Sequence, residues 1–281
     1  MITLAAFGNY GRIGNQLFQY AALKRIALKN NYELRLPAAQ TFEEYQRTSK
    51  GNCMAEFNVE YKPLLEEHIK IMEHRVYREP QGRGYISQVL NVPDNTNVIG
   101  YFQSEKYFQP IADSIKKELT FRDKSIIEKA KNFVEDVKVG ENSVTSLHIR
   151  RGDYVKKADK YPFPGWQYYK KAISLIGGES KIIVVSDDIE WCQTHLQGKN
   201  ITYSVFKNAL EDLALMTVCD NNIIANSTFS WWGAWLNNNL TKKVIAPKKW
   251  FGSGFYIVRT PLKIKFPYTT KDLLPKAWIK I

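Results

Sequence analysis

Residues 181–186 read Lys-Ile-Ile-Val-Val-Ser, with no polar side chain from Ile182 to Val185. A strand points successive side chains to opposite faces, so a strand apolar on both faces must be covered on both. A parallel sheet with helices packed on either side provides that cover. The neighbouring sequence has the alternation such a sheet needs. Strands are predicted at 144–149, 181–186, 201–206, 222–225 and 243–246, with helices at 165–176, 188–196, 209–219 and about 229–237. On the first of these helices Trp166, Tyr169, Ile173 and Ile176 fall on one face. The fold class is therefore α/β, with a doubly wound parallel sheet.

The first half is less regular. A strand at 2–7 leads through Gly8, Gly11 and Gly14 into a helix from about Gln16 to Asn30. Further strands are predicted at 33–37 and 97–101, and helices at about 104–118 and 123–137. Between about 40 and 95, Pro63, Pro80 and Pro93 interrupt any period, so short helices and irregular connections are predicted there. Length alone suggests roughly two domains of about 150 residues. Their boundary is predicted near 138–142, giving an N-terminal domain of 1–140 and a C-terminal domain of 141–281, with the chain able to cross back near its C-terminus.

Composition excludes several classes. Hydrophobic residues make up 44% and charged residues 24%, so the chain is neither disordered nor fibrous. It has no apolar stretch long enough for a transmembrane helix, and its first residues lack the basic and apolar regions of a signal peptide. Cys53, Cys192 and Cys219 are far apart and odd in number, which argues against a disulfide framework and fits a reducing, cytoplasmic setting. The net charge of +12 favours anionic partners: a nucleotide-linked substrate, nucleic acid, or an acidic membrane face. The basic residues are dispersed in pairs such as Lys156-Lys157 and Lys242-Lys243, and no nucleic-acid-binding signature accompanies them.

In open parallel sheets ligands bind beyond the carboxyl ends of the strands. Four strings stand there. Gly8-Asn-Tyr-Gly11-Arg-Ile-Gly14-Asn15-Gln16 opens a helix, but its GxxGxxG spacing departs from the GxGxxG of dinucleotide-binding proteins. After the 144–149 strand comes His148-Ile-Arg150-Arg151-Gly-Asp153-Tyr154. Two adjacent guanidiniums suit a diphosphate, because a planar fork pairs bidentately with its oxygens. A plain ion pair between Arg151 and Asp153 is the alternative. Ser186-Asp187-Asp188 closes the apolar strand; one carboxylate caps the next helix, and the other can accept hydrogen bonds from a ribose or a base. A divalent-cation site is the alternative there, although no further hard ligand is near. Asn226-Ser-Thr-Phe-Ser230-Trp-Trp-Gly-Ala-Trp235 places hydroxyls at a helix N-terminus, where a phosphate can be held. Its three tryptophans suit packing between helix and sheet.

Taken together, GRIGNQLFQYA, GYFQSEKYF, HIRRGDYV, SDD with Trp191 following, and NSTFSWWGAWL resemble the α-1,2-fucosyltransferases of glycosyltransferase family 11. The resemblance runs from Gly11 to about Pro247 with order and spacing intact. It implies a GT-B fold, two Rossmann-like domains facing across a cleft, and an inverting transfer of L-fucose from GDP-fucose to the 2-hydroxyl of a terminal galactose. It also implies that no metal is required. By the same resemblance Arg150 grips the diphosphate with His148 and Arg151 beside it. Asp212 reads the guanine, and Asp187 is a second acid on the nucleotide. Ser227, Thr228, Phe229 and Ser230 surround the phosphates, and Asn15 lies near the reacting centre. Residues 40–95 match no motif of the family, so the acceptor has no support beyond the family itself.

A metal-free transfer is physically sound. Negative charge that develops on the departing GDP can be met by guanidiniums and a helix N-terminus. Asp153 and Glu105 are the carboxylate candidates for a general base. An NAD-dependent enzyme and a basic nucleic-acid-binding module are the competing readings. The partners expected are GDP-fucose and a galactose-containing glycan, with weak peripheral contact to the inner membrane face and no nucleic acid.

Overall fold

The apolar run at 181–186 lies where its composition requires, inside a parallel sheet with both faces buried. The computed structural model describes every residue except 81, 83, 139, 141, 178 and 260–263. Two compact units divide the chain: Met1–Arg122 with Tyr268–Pro275, and Asp123–Pro267 with Lys276–Ile281.

In the second unit six strands run in the order Ile279–Lys280, Val244–Ala246, Asn221–Ile223, Val144–Ile149, Lys181–Ser186, Ile201–Tyr203. All five pairings are parallel, with Val144 opposite Lys181 and Ile149 opposite Ser186. The helices Trp166–Ile176 and Ile189–His195 contribute Tyr168, Tyr169, Ala172, Ile176 and Cys192 to a core with Leu147, Ile149, Ile182 and Val184. Trp231 and Trp232 of the helix Thr228–Leu236 are fully buried, and Trp235 is nearly so, as packing residues should be. Asn221 and Asn222 look out of place in a buried strand, but their groups are satisfied: Asn221 Oδ1 accepts from Lys243 N (2.8 Å) and its Nδ2 donates to Thr145 Oγ1 (3.5 Å). Asn222 Nδ2 donates to Ser146 Oγ (2.8 Å) and Met216 O (2.7 Å), and Asn237 Nδ2 donates to Asn222 Oδ1 (3.0 Å).

The first unit has short strands. Ile2–Thr3, Thr96–Ile99 and Val76–Arg78 form a parallel sheet in that order, and Arg35–Leu36 pairs in parallel with Lys62–Pro63. The helix Ile13–Asn30 buries Leu17, Phe18, Tyr20, Ala21 and Leu23, and ends at Asn31 in the left-handed region (φ 56°), which asparagine tolerates. The segment Tyr268–Pro275 completes this unit through Asp272. Its carboxylate accepts from Tyr85 N (3.1 Å) and pairs with Lys106, and its carbonyl accepts from Ser104 Oγ (2.6 Å).

Several expectations are corrected. The strand predicted at 2–7 stops at Thr3, because Phe7 N bonds to Leu4 O (2.9 Å) and Asn9 N to Ala6 O (3.0 Å), turning the chain. The helix predicted at 104–118 is broken. Pro110 has no N–H to give, and two 3-10 turns, Glu105–Tyr107 and Gln109–Ile111, precede the helix Ala112–Glu118. The strand predicted at 201–206 ends at Tyr203, where Ser204 turns away and its Oγ accepts from Phe206 N (3.3 Å). The division between units falls at Arg122/Asp123, earlier than domains of 1–140 and 141–281. The helix Lys124–Val137 packs on Ala209–Val218 of the second unit, with Lys129 on Glu211 (3.2 Å) and the Phe133 ring 5.6 Å from Phe206. Positions 139 and 141 of the predicted boundary lie outside the described residues.

Candidate active site

Four neighbouring strands of the second unit end in polar residues, and most of the sequence candidates gather there. His148, Arg150 and Arg151 stand at the end of 144–149, and Asp187 and Asp188 follow 181–186. Ser204 follows 201–203, and Asn226 and Ser227 follow 221–223. Arg150 Nη1 pairs with Asp187 Oδ2 at 2.8 Å, and Arg150 Nη2 pairs with Asp153. The guanidinium also lies 5.3 Å from the Tyr154 ring centre. The other oxygen of Asp187 accepts from Arg151 N (2.9 Å). Such close approach requires Gly152: a Cβ there would sit 2.2 Å from Asp187 Oδ2. The glycine of the HIRRGD string thus exists for the carboxylate of the next strand.

The ion pair considered between Arg151 and Asp153 is not the one formed. Asp153 takes Arg150, three residues back along the first turn of Gly152–Val155. Arg151 points the other way, with Nε on Asp188 Oδ2 (3.0 Å) and its guanidinium 3.6 Å from the Trp191 ring centre. Trp191 stacks on Trp166 at 5.4 Å and 9°. Asp188 also caps the helix Ile189–His195, accepting from Trp191 N (3.3 Å). Both carboxylates considered for a cation are therefore engaged by guanidiniums. Among the described residues no three His, Cys, Asp or Glu side chains converge as a metal site.

His148 is buried, its ring 5.6 Å from that of Phe229, and Nδ1 has no hydrogen-bond partner. Burial first, and then the Arg150 charge, lower its pKa to about 3, so the imidazole is neutral. Ser227 is the N-cap of Thr228–Leu236, accepting from Phe229 N (3.4 Å), and Ser230 Oγ donates to Ser227 O (3.3 Å). Phe229 and Thr228 are partly exposed on the first turn. Asp212 stands apart from the arginines, in the first turn of Ala209–Val218, and accepts from Ser204 Oγ (2.6 Å). Burial raises its pKa to about 7, against the Ser204 hydrogen bond and with help from the Glu211 charge.

Asn15 and Glu105 belong to the first unit. Asn15 Oδ1 accepts from Gln103 Nε2 (2.9 Å), and Glu105 opens the 3-10 turn two residues after Gln103. Gly11 has φ +81°, and a Cβ on it would lie 2.1 Å from Asn15 Nδ2, so the turn glycine is a seat for this amide.

Sequence reasoning gave no role to Tyr154, Ser204 or Gln103. Tyr154 packs under Arg150, stacks on Tyr161 at 4.3 Å and 16°, and donates to Asn226 O (3.3 Å). Tyr154 and Gln103 lie within the strings HIRRGDYV and GYFQSEKYF, which marked them. Ser204 carries no sequence signal beyond following a strand.

Comparison with known proteins places the chain in a family and a fold. The model for the family described as Glycosyl transferase family 11 matches residues 4–264. An alpha-1,2-colitosyltransferase of Escherichia coli is 31% identical over 96% of this chain and 96% of its own. Galactoside 2-alpha-L-fucosyltransferase Sec1 of Mus musculus is 26% identical over 82% of this chain and 64% of its own. Among solved structures, POFUT1 without ligand superposes with a TM-score of 0.53 at 14% identity, covering 87% of this chain and 97% of that one. The likeness shows the fold: α/β of the GT-B type.

Proposed function

The chain belongs to glycosyl transferase family 11, and from that premise we propose that it is an inverting transferase moving L-fucose from GDP-fucose to the 2-hydroxyl of a terminal galactose. The observation that carries the donor side is Arg150, set at a strand end between the carboxylates of Asp187 and Asp153, on a strand that pairs with the one leading to the helix capped by Ser227. The two carboxylates engage Nη1 and Nη2 and fix the plane of the guanidinium, and its remaining N–H groups can meet the oxyanions of a diphosphate. As the glycosidic bond breaks, Arg150 and the N–H groups at Thr228–Leu236 would take up the charge left on GDP. Asp212 would accept from the guanine edge, and neutral His148 would donate within the phosphate pocket.

Metal independence is part of the proposal, because Asp187 and Asp188 spend their oxygens on Arg150 and Arg151. Asp153 is tied to Arg150, and a carboxylate held by a guanidinium is a poor proton acceptor. Glu105 is the other carboxylate candidate, two residues from the Gln103 that bonds Asn15.

Colitose is the second reading for the donor, favoured by the relative of that specificity at 31% identity. The two sugars differ by one hydroxyl, so the test is direct. GDP-fucose and GDP-colitose are offered in competition to the protein with a panel of galactose-terminated acceptors, and the product linkage is read by NMR. A β- or 3-linked product, or preference for GDP-colitose, overturns the corresponding part of the proposal. No helix among the described residues is long and apolar enough to cross a membrane. The net charge of +12 supports weak, salt-sensitive attachment to an anionic cytoplasmic leaflet, and the buried, unpaired Cys53, Cys192 and Cys219 suit that compartment. Cosedimentation with anionic vesicles at low salt checks the attachment.

A further inference from the structure

Glu79 is a half-buried carboxylate that the mechanism above does not use. It follows the strand Val76–Arg78 and accepts two hydrogen bonds from one short bend and a third from Tyr107. Its Oε2 takes Tyr101 N (2.8 Å) and Phe102 N (2.9 Å), and its Oε1 takes the Tyr107 hydroxyl (3.0 Å). Tyr107 in turn accepts from Ile86 N (3.1 Å). The bend is one the backbone would not choose alone. Phe102 has φ +51°, in the left-handed region, where a side chain beyond Cβ is disfavoured. A Cβ at Gly100 would lie 2.5 Å from Glu79 Cβ. Gln19 Nε2 holds the other side, donating to Gly100 O (3.0 Å) and Tyr10 O (3.2 Å). The next residue is Gln103, whose amide donates to Asn15 Oδ1.

We propose that Glu79 is a positioning residue: it fixes the Gly100–Phe102 bend so that Gln103 occupies the Asn15 oxygen and Asn15 meets substrate as a hydrogen-bond donor. The inference rests on Asn15 lying near the reacting centre of the transferase proposed above. Its chemistry is specific. An amide whose oxygen is already engaged offers N–H groups to an oxygen bearing developing charge, and removes no proton from the acceptor hydroxyl. Burial raises the Glu79 pKa, and the three hydrogen bonds oppose that rise, so they favour the ionised form they are made to.

The test uses the full chain and the variants Glu79→Ala, Glu79→Gln and Gln103→Ala, with two readouts. The first is amide hydrogen exchange, which does not depend on the substrate. Glu79→Ala speeds exchange in 100–104 and 13–17, whereas Glu79→Gln, which keeps an oxygen for the two N–H groups, does not. The second is kinetics with GDP-fucose. Glu79→Ala and Gln103→Ala each lower kcat about tenfold or more, with GDP-fucose affinity within about twofold of the parent. Glu79→Gln restores kcat to within about threefold, and the double alanine variant is no slower than either single one, because both act through one link. Unchanged exchange in Glu79→Ala overturns the positioning role, and so do losses that multiply in the double variant. A loss confined to GDP-fucose affinity does the same. If Glu79→Ala does not fold, failure of Glu79→Gln to differ from Gln103→Ala in kcat is the overturning result. A parent protein that transfers nothing from GDP-fucose would sink the donor assignment instead, and the exchange comparison would still decide the fate of Glu79.

Discussion

The strand ends of the second unit and the Asn15 turn of the first are built from different materials. Around Arg150 the groups are charges: two guanidiniums and three carboxylates, in ion pairs carried by six-residue strands. Around Asn15 they are neutral amides, Asn15 on the first turn of Ile13–Asn30 and Gln103 on irregular backbone, with Gly11 and Phe102 at positive φ and a sheet whose strands have two to four residues. Charges suit a permanent anion such as a diphosphate. Amides suit the brief, partial charge of a reacting oxygen, and need exact placement more than strength. Under the proposed function, the first set would serve donor affinity and the second turnover.

The most severe way to break that contrast is Arg150→Ala. It should weaken GDP and GDP-fucose binding about hundredfold, measured by calorimetry, because the diphosphate loses its one guanidinium held by two acids. Binding that survives intact would move the donor away from these strand ends. Gly152→Ala is a milder probe of the same side. A methyl 2.2 Å from Asp187 Oδ2 must displace the carboxylate that orients Arg150 and Arg151 N, and about tenfold weaker GDP binding is expected while the fold persists. A wild-type titration curve would mean that Asp187 is not needed in that place.

Asp212 sharpens the comparison through pH. Its carboxyl keeps its proton in the folded chain up to about 7, against 3.8 in the absence of the fold. Between those values the folded state binds more protons than the unfolded state, so its contribution to stability is greatest at the acid end and is lost as pH rises through the window. The unfolding midpoint should therefore fall across that range, and Asp212→Asn should flatten the slope. An unchanged slope in Asp212→Asn would locate the titration elsewhere. The smallest effect expected is none at all: transfer assayed in excess EDTA should keep most of its rate. A loss repaired by Mn²⁺ or Mg²⁺ would make Asp187 and Asp188 cation ligands and dissolve the distinction between ion-paired and ion-binding acids.

The same contrast explains what could be read in advance. The second unit is legible because two of its strands run to six residues, because its strands and helices alternate regularly, and because functional residues follow the strands as short charged strings. Even there, the one ion pair weighed as an alternative, Arg151 with Asp153, is not the pair that forms, since adjacency along the chain does not reveal that Arg151 turns toward Trp191. In the first unit strands of two residues leave no periodic signal, and Pro110 breaks a helix that composition alone would continue. Asn15 was found through a motif. Glu79 was not, because a lone acid after a short strand in a stretch without period carries nothing that distinguishes it from a surface carboxylate.

The return of Tyr268–Pro275 to the first unit has a consequence for biosynthesis. A ribosome makes Met1–Arg122 first, yet Tyr85 N, Ser104 Oγ and Lys106 find their partner only when Asp272 has been added. At about 5–20 residues per second, the interval between Arg122 and Tyr268 is on the order of ten seconds. The unit translated first thus waits for its last segment, and during that interval the nascent chain carries a nearly finished fold with one seam open. The contacts of Ser104 and Lys106 with Asp272, on either side of Glu105, form only after the whole parallel sheet of the other unit, save its edge strand at Ile279–Lys280, has been translated.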